Sequence, residues 1–485
     1  MSESNVLSLT NYWQHYPDTY RSEEVKTIAG WLAAGESGVI VGLSGAGRAS
    51  LLSFLHHRPD VLHSLLSDYS CRGVFVPVDL INLPDNSLAT LYRTILRSFY
   101  EVSYQFDSTQ QAIIYDLYRK TETSRDAFLS QSALRELLLS LETEAYRIGL
   151  IFDRFDRFCE TATVRMTNTL RGLRDSFKET LCYLVSLPQE IIYSPYWESL
   201  EPLRGILDSH TCWVGPLLEK DVRHMIAHRT KHLGEPLPNE IIESILEVTG
   251  GYPSLIRVVC DWWIENREPI VSLASNKWVA RLLSLQNVQH RLEQMWYGLT
   301  QEEQSALSEL HKWQDGQATG NSAKYLRSKS PFPLAEPYRN LLPGLQNKGV
   351  CYQDKQNKCK VNGRLLASYI AETSGRSRGK IWLDSKTENI YQGDILIGNL
   401  PPLERAVLGF LIQNPYARHT HTDLIEAAWP EDVHKEGVST DALYQTIRGL
   451  RKKIEPQPSI PCYILNWRGQ QEGGYHFFPE GRPIQ

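Results

Sequence analysis

The sequence lacks the features of several specialised classes. Its 485 residues contain no apolar run of about eighteen residues. The N-terminal MSESNVLSLTNYWQ has no basic segment followed by an apolar one. We therefore expect no membrane partner and a cytoplasmic location. Positive charge is not in excess either, because 51 Lys and Arg face 56 Asp and Glu, a net charge of −5. Any surface for nucleic acid must therefore be local.

Paired cysteines are also missing. The eight cysteines are scattered and none forms a C-x-x-C motif, which argues against a zinc knot or a disulfide framework. His224, His228 and His232 recur at helical spacing, but no acid or Cys stands at ligand spacing beside them. We interpret them as a solvated helix face rather than a metal site. Length and an ordinary globular composition predict about three or four domains.

The most informative segment is the loop GLSGAGRAS at residues 42–50. It has the glycine spacing of the phosphate-binding P-loop, G-x-x-x-x-G-K-[ST], met at Gly42 and Gly47. Arg48 stands in place of Lys, and Ala49 stands in place of Ser or Thr. A short apolar strand pattern precedes the loop and a helical pattern follows it, as a P-loop requires. This context predicts a nucleotide site, with a ligand-free glycine turn as the alternative.

A second element supports this interpretation. The apolar run RIGLIFD ends in Asp153 and is typical of a buried parallel strand whose terminal carboxylate can hold magnesium. Arg154 follows where a water-polarising Glu is usual, and Arg cannot act as a base at neutral pH. Since Ala49 also lacks the hydroxyl that holds magnesium, we predict weak or absent hydrolysis with the phosphate cradle retained.

Apolar runs at 73–79 and 181–187 supply further strands, and helical patterns separate them. This alternation predicts a doubly wound parallel sheet. The fold class we predict is a multidomain α/β and α+β protein. Its segments are a P-loop α/β domain at 1–205, a helical lid at 206–296, an internal winged helix at 297–372, a linker at 373–379 and a C-terminal winged-helix domain at 380–485.

The first three segments resemble the STAND class of AAA+-related signalling NTPases over roughly residues 15–370. The resemblance rests on YRSEE at 20–24, the glycine loop, the strand end at 150–156 and the TGGYP turn at 249–253. In that class the Gly-x-Pro turn approaches the nucleotide, and exchange or hydrolysis switches the molecule between closed and open forms. The resemblance implies ATP or ADP as cofactor, possible magnesium at Asp153, and the following nucleotide-binding residues: Gly42, Ser44, Gly45, Gly47, Arg48, Asp153 and Pro253.

Beyond residue 380, strand-like alternation precedes three amphipathic helical patterns and a final hairpin. In the third helix, at 438–454, Leu443, Ile447, Leu450 and Ile454 are spaced to face a core. This order of elements resembles the winged-helix output domain of response-regulator transcription factors over about a hundred residues. The matching motifs are LE at 403–404, WP at 429–430, LRKK at 450–453 and RG at 468–469. The resemblance implies that the third helix enters the major groove of double-stranded DNA.

The other face of this helix is polar and basic. Gln can pair with adenine, Arg with guanine, and Arg or Lys with phosphate. The candidate DNA-binding residues are Thr440, Tyr444, Gln445, Arg448, Arg451, Lys452 and Arg468. For Arg451 the alternative is a brace for the hairpin, and for the whole face it is a solvated helix surface. Glu472, in the lengthened wing, should weaken contacts to phosphate.

No receiver domain with a phosphoacceptor Asp stands directly before this C-terminal winged-helix domain, which we call the reader. We therefore expect nucleotide state or partner binding to be the input. The favoured interpretation is a DNA-binding transcriptional regulator or signalling protein controlled by a STAND-like module. Two alternatives stay open: an active ATPase of a defence or mobile-element complex, and a non-catalytic assembly subunit whose winged helix binds protein. Expected partners are DNA and a second copy of the chain or another protein, and the degenerate loop leaves open that no nucleotide binds.

Overall fold

The computed structural model describes residues 12–69, 71–191, 197–266, 275–314, 340–376, 379–384, 387–393, 395–398, 400–429, 440–455, 458, 461–468 and 473–481. The chain forms two compact units, a larger one within residues 1–366 and a smaller one that begins at residue 367. Among the described residues, no helix combines the length and the apolar character needed to cross a bilayer.

The larger unit is built on a five-stranded parallel sheet. In spatial order β2-β3-β4-β1-β5, two strands separate β1 from the outer strand β2. Val39 of β1 pairs with Val185 on one side and with Thr211 on the other. The strands are β1 Gly38–Val41, β2 Arg72–Pro77, β3 Tyr146–Phe152, β4 Leu181–Leu187 and β5 Thr211–Trp213.

Helices cover both faces of this sheet. On one face, Val74 and Ile148 share a core with Leu91, Leu134 and Leu170 of the flanking helices. On the other face, a Cβ at Gly73 would lie 2.2 Å from Leu66 Cδ1 and 2.9 Å from Leu32 Cδ2. The prediction of a doubly wound parallel sheet is therefore confirmed. The helices are α1 Ser22–Ala34, α2 Arg48–His57, α3 Pro59–Leu66, α4 Leu88–Glu101, α5 Ser108–Thr121, α6 Ala127–Thr143, α7 Phe155–Thr161, α8 Val164–Ser176 and α9 Trp197–Leu207.

The fifth strand lies in a stretch that the sequence assigned to the helical lid. β5 has three residues, and its own pattern carries no strand signal. It forms because Ile40 and Val41 already present an unpaired edge, to which Cys212 and Trp213 add in parallel register. Sheet pairing, and not local propensity, therefore decides its conformation.

Helices follow β5, as the lid prediction requires. A short hairpin then follows α16, at the place where the sequence predicts one, with Cys351 opposite Val361. Residues 315–339, in the predicted internal winged helix, lie outside the described residues. The elements are α10 Glu219–Thr230, α11 Asn239–Thr249, α12 Pro253–Asn266, α13 Ser275–Leu283, α14 Gln286–Tyr297, α15 Gln301–Gln314, α16 Leu342–Asn347, β6 Cys351–Gln353, β7 Cys359–Val361 and α17 Arg364–Arg376.

Two details differ from the sequence interpretation. α17 continues through Arg376, so the polar stretch predicted as a linker from residue 373 begins inside a helix. His224 and His228 on α10 are half-buried rather than solvated, because their rings lie 5.0 and 5.1 Å from the rings of Tyr16 and Tyr12. Aromatic contacts from a segment remote in sequence account for this second difference.

The hairpin β6–β7 holds the turn between α11 and α12. The side-chain amide of Asn362 donates to the carbonyls of Gly250 and Gly349, at 2.9 Å each. The Tyr252 hydroxyl donates to the Lys348 carbonyl. Lys348 is itself buried, with Nζ 2.6 Å from Oε1 of Glu303 on α15. This polar network fixes the position of the Gly-x-Pro turn, which contacts the glycine loop.

The described residues of the smaller unit form two three-stranded antiparallel sheets and three core helices. The predicted core stripe of the third helix is confirmed, because Leu443, Ile447, Leu450 and Ile454 are all buried. One strand, β11, had no clear sequence signal and forms by pairing with β13. The elements are β8 Ile381–Leu383, β9 Ile390–Gln392, β10 Ile395–Leu396, α18 Pro402–Gln413, β11 Arg418–Thr420, α19 His421–Ala428, α20 Thr440–Ile454, β12 Ile464–Arg468 and β13 Gly473–Phe477.

A buried carboxylate fixes the path from α20 to β12. Glu455 is 1% exposed, and its two oxygens accept the backbone amides of Cys462, Tyr463 and Ile464 at 2.6–3.1 Å. These amides would otherwise be buried without acceptors. The helix and the hairpin are therefore held together by one charged group.

We expect Glu455→Gln to destabilise the smaller unit by about 2–3 kcal/mol, because the amide offers one acceptor oxygen where the carboxylate offers two. Calorimetric unfolding of the full chain measures the change. Glu426→Gln, on the exposed surface of α19, is the matched control and should leave the transition unchanged. Equal transitions for the two variants would contradict this role of Glu455.

Candidate functional site

The glycine loop joins β1 to α2 at the carboxyl edge of the sheet. Gly45 and Gly47 adopt left-handed backbone angles, with φ of 83° and 96°, which side chains other than Gly rarely accept. Gly47 is the N-cap of α2 and has no side chain to cap the helix. Within the described part of the chain, no acceptor is hydrogen-bonded to the amides of Gly45, Gly47, Arg48 and Ala49. The loop therefore offers a set of unpaired donors at a helix N-terminus.

The predicted Gly-x-Pro turn lies directly on this loop. The backbone amide of Ser254 donates to the Gly45 carbonyl at 3.2 Å. A Cβ at Gly45 would lie 2.1 Å from Ser254 Oγ, and a Cβ at Gly47 would lie 3.3 Å from Pro253 Cγ. The structure thus brings Pro253 to Gly45 and Gly47. Gly42 is also closely packed, since its Cβ would lie 2.5 Å from the Val214 carbonyl.

Two contacts hold the loop from other elements. Arg21, 1% exposed, donates from Nη2 to the Ala46 carbonyl at 2.6 Å and to the Gly215 carbonyl at 2.9 Å. Ser44 donates from Oγ to Oε1 of Gln294 on α14 at 2.9 Å. The YRSEE motif contained Arg21 but gave no sign that it reaches the loop, and no local pattern marks Gln294.

Arg48 extends from the start of α2 towards the ends of β3 and β4. Its Nη1 donates to Oγ of Ser186, a buried residue of β4, at 3.4 Å. Burial lowers the pKa of the Arg48 guanidinium, while the negative charges of Asp153 and Asp156 act in the opposite direction. The charge of Asp153 thus acts on Arg48, and the hydrogen-bond partner of Arg48 is Ser186, which the sequence did not indicate.

One oxygen of the Asp153 carboxylate already accepts a hydrogen bond from the backbone of the next residue. This oxygen, Oδ1, accepts the amide of Arg154 at 2.9 Å. Arg154 has a left-handed φ of 49° and an exposed side chain. A non-Gly residue in this conformation costs about 1–2 kcal/mol, and the amide contact offsets part of that cost.

The residues fit a phosphate better than a metal ion. The unpaired loop amides suit an anion, and Ser254 Oγ beside them is buried without a described hydrogen-bond partner. For magnesium, Ala49 supplies no oxygen, and the charge of Asp153 already acts on the guanidinium of Arg48. Magnesium is usually held by one or two carboxylates together with phosphate oxygens and waters, so these side chains offer it few ligands.

A cleft of about 900 Å³ opens beside the loop. Ala49, Asp153 and Arg154 are among its lining residues, together with residues of α2, α4 and α5 and of the segment at the end of β2. Ala49 is exposed to this space, so a larger side chain could be accommodated there. The position that would carry the metal-binding hydroxyl is thus open in shape but lacks the chemical group.

In the smaller unit, the predicted reader face lies on α20. Its exposed members begin with Thr440 at the first residue of the helix and continue along the side opposite the buried stripe. The Tyr444 ring is 44% exposed and contacts the ring of His421 at 5.3 Å. The exposed candidates are Thr440, Tyr444, Gln445, Arg448 and Lys452. Arg468 lies in β12, and its side chain, like residues 469–472 of the wing, falls outside the described part of the chain.

Arg451 has the alternative role that the sequence left open. Its Nη2 donates to the Ile464 carbonyl at 2.6 Å and to Oδ1 of Asn466 at 2.9 Å, and its guanidinium lies 5.7 Å from the centre of the Tyr475 ring. Burial lowers the pKa of this guanidinium. Arg451 therefore braces the hairpin in this structure and is not available as a base-reading group.

Glycine within α20 has a packing reason. A Cβ at Gly449 would lie 2.2 Å from Oε1 of Glu404, and the same Glu404 forms an ion pair with Lys453 through Oε2 at 2.5 Å. Glu404 on α18 thus meets α20 at its glycine and contributes to the crossing of these helices. This contact gives Glu404 of the LE motif a packing role.

Residues 398–477 match the family model described as "Transcriptional regulatory protein, C terminal". The matched segment runs from just before α18 to the end of β13. The C-terminal unit is a winged helix of the transcriptional-regulator type. The family match covers only this part of the chain, and a search of curated protein sequences finds no match to the chain.

Several solved structures are similar to the chain. A Walker-type ATPase of Pyrococcus abyssi is 14% identical, with 72% of this chain and 95% of that chain covered and a TM-score of 0.41. Cdc6p from Pyrobaculum aerophilum is 12% identical, with 73% of this chain and 93% of that chain covered and a TM-score of 0.31. Drosophila ORC bound to DNA is 13% identical, with 73% of this chain and 87% of that chain covered and a TM-score of 0.34. The fold itself rests on the strand order and the glycine loop: the chain joins a P-loop-type α/β module to a winged helix.

Packing of the lid turn on the loop can be tested at Gly45. We expect Gly45→Ala to destabilise the larger unit by at least about 2 kcal/mol, from the left-handed backbone and from overlap with Ser254. Rotating the Ser254 hydroxyl away does not remove the conflict, because Ser254 Cβ would still lie 2.8 Å from the new methyl group.

The control is Gly172→Ala in the exposed part of α8, where no atom lies within 4 Å of the added Cβ. Helix propensity predicts that this change stabilises the chain by about 0.5–1 kcal/mol. Denaturant unfolding of both variants gives the comparison. A Gly45→Ala protein as stable as the wild type would show that the turn does not pack on the loop as described.

Proposed function

We propose that this protein is a DNA-binding transcriptional regulator whose P-loop module binds ATP or ADP, with little or no hydrolysis, and thereby controls the winged helix. The observation that carries the proposal is the exposed polar face of α20 in a domain that matches transcriptional regulatory proteins. Tyr444, Gln445, Arg448 and Lys452 share this face, while the apolar stripe is buried.

The chemistry of this face supports DNA as the partner. Arg448 has the planar fork that suits guanine, and Gln445 has the paired donor and acceptor that suit adenine. Lys452 supplies a point charge for a phosphate. The protein as a whole has a net charge of −5, so attraction to DNA depends on this local cluster. Arg451 contributes indirectly, by holding the hairpin against the helix.

The support for nucleotide binding comes from the loop. Unpaired amides at the N-terminus of α2, a buried Ser254 hydroxyl without a described partner, and the guanidinium of Arg48 beside the loop all suit a polyphosphate. Hydrolysis additionally needs a group to position the attacking water and a metal to stabilise charge. Ala49 and Arg154 stand where those groups would be, so binding and turnover are separated in this site.

DNA recognition can be tested by selecting the preferred duplex from a random-sequence pool at low salt. The dissociation constant of the selected duplex is then measured across a salt series. We expect Arg448→Ala to weaken binding of the selected duplex by about 1–3 kcal/mol and to relax the sequence preference at one position. Lys452→Ala should weaken all duplexes to a similar degree and lower the salt slope by about one.

Arg405→Ala is the matched control, since it removes the same charge from α18, where the guanidinium donates to the Glu388 carbonyl. It should bind the selected duplex as the wild type does. If the wild-type protein binds no duplex even at low salt, the reader is not a DNA-binding surface, and the assembly subunit with protein contacts becomes the better interpretation.

The nucleotide part predicts phosphate release from ATP slower than about one turnover per minute. Faster release that is lost in Arg48→Ala would favour the active ATPase instead. Control of the winged helix predicts that saturating ATP or ADP changes the affinity for the selected duplex by at least about fivefold, a typical lower bound for allosteric coupling. Sedimentation with and without nucleotide shows whether a change in oligomeric state accompanies this effect.

A further inference from the structure

We propose that Arg48 takes the place of the metal ion in this site, so that ATP or ADP binds without any requirement for magnesium. This inference rests on the proposed nucleotide site and specifies which ionic form of the nucleotide the site accepts. It follows from the position of a fixed cation, from two missing or occupied metal ligands and from the space beside them.

The fixed cation is held at the end of β4. Arg48 is the first residue of α2, and its guanidinium donates to Ser186 in β4 at 3.4 Å. The negative charges of Asp153 and Asp156 also act on it. Arg48 therefore places one positive charge at the carboxyl edge of the sheet, where polyphosphate would lie.

Fewer oxygen ligands for a divalent ion are available at the same place. Ala49 has no hydroxyl, and Asp153 already accepts the amide of Arg154 at 2.9 Å. A magnesium ion near Asp153 would also be repelled by the nearby guanidinium, and this repulsion is strong where water is partly excluded. The site therefore selects against the ion that it would otherwise need.

The charge requirement of the ligand changes accordingly. Magnesium normally bridges the terminal phosphates and neutralises part of their charge. In this chain Arg48 and the unpaired amides of α2 supply that compensation within the protein. Free nucleotide, rather than its magnesium complex, is then the species that matches the site.

The test measures the binding of ADP and ATP to the full chain by calorimetry, in excess magnesium chloride and in excess EDTA. We expect dissociation constants that agree within about twofold between the two conditions. The double variant Arg48→Lys with Ala49→Thr restores both groups of a P-loop, and it should bind at least about tenfold more tightly with magnesium than with EDTA. Ala49 lines the open cleft, so the added side chain has room.

Arg157→Lys, on the exposed side of α7 and paired with Glu160, is the control and should leave both titrations unchanged. Wild-type binding at least tenfold weaker in EDTA would overturn the inference, leave the nucleotide part of the proposed function intact, and support magnesium at Asp153. No binding in either condition would overturn this inference together with nucleotide binding, while the DNA measurements would stand separately. Melting temperatures of all variants exclude a loss of folding as the cause.

Discussion

The arrangement of the P-loop module depends on the buried guanidinium of Arg21. It satisfies the carbonyls of Ala46 in the loop and Gly215 after β5, and its own backbone amide donates to Asp221 on α10. Through its side chain and its backbone amide, Arg21 thereby connects the start of α1, the glycine loop, the edge of the sheet and the lid. Leaving either carbonyl buried without a donor would cost about 1–3 kcal/mol. The loop therefore has its shape because of a residue some twenty positions before it, and the glycines permit that shape without determining it.

The long elements of the fold could be predicted from the sequence, because each carries its own signal. β3 and β4 are apolar runs of seven residues, and both are buried throughout apart from Arg147. The stripe on α20 has helical spacing and lies in the core. β5 and β11 have three residues each and could not be predicted, since they are strands only because a neighbouring edge accepts them. A pattern of three residues contains too little periodicity to separate a strand from a loop.

The candidate site was predictable to the same extent. Motif spacing located the loop, Asp153 and Pro253, because these positions are set by local backbone geometry. Ser186, Gln294 and Ser254 could not be found in this way, since only tertiary packing brings them to the loop. Periodicity also could not separate Arg451 from Arg448. The two residues lie three positions apart on one side of α20, and the hairpin reaches only the nearer one.

A P-loop that binds nucleotide without turning it over would act as an equilibrium sensor. A ligand shifts a conformational equilibrium only by the difference in its affinity for the two forms. At a concentration one hundred times its dissociation constant, a ligand that binds one form exclusively stabilises that form by about 2.7 kcal/mol. Under the proposed function, the contact open to such a shift would be the packing of Pro253 and Ser254 on the loop, because both residues lie directly against Gly45 and Gly47. Such a switch would follow nucleotide concentration and would reverse by dissociation. Ala49 and Arg48 would then change how the switch is reset and not whether it can respond.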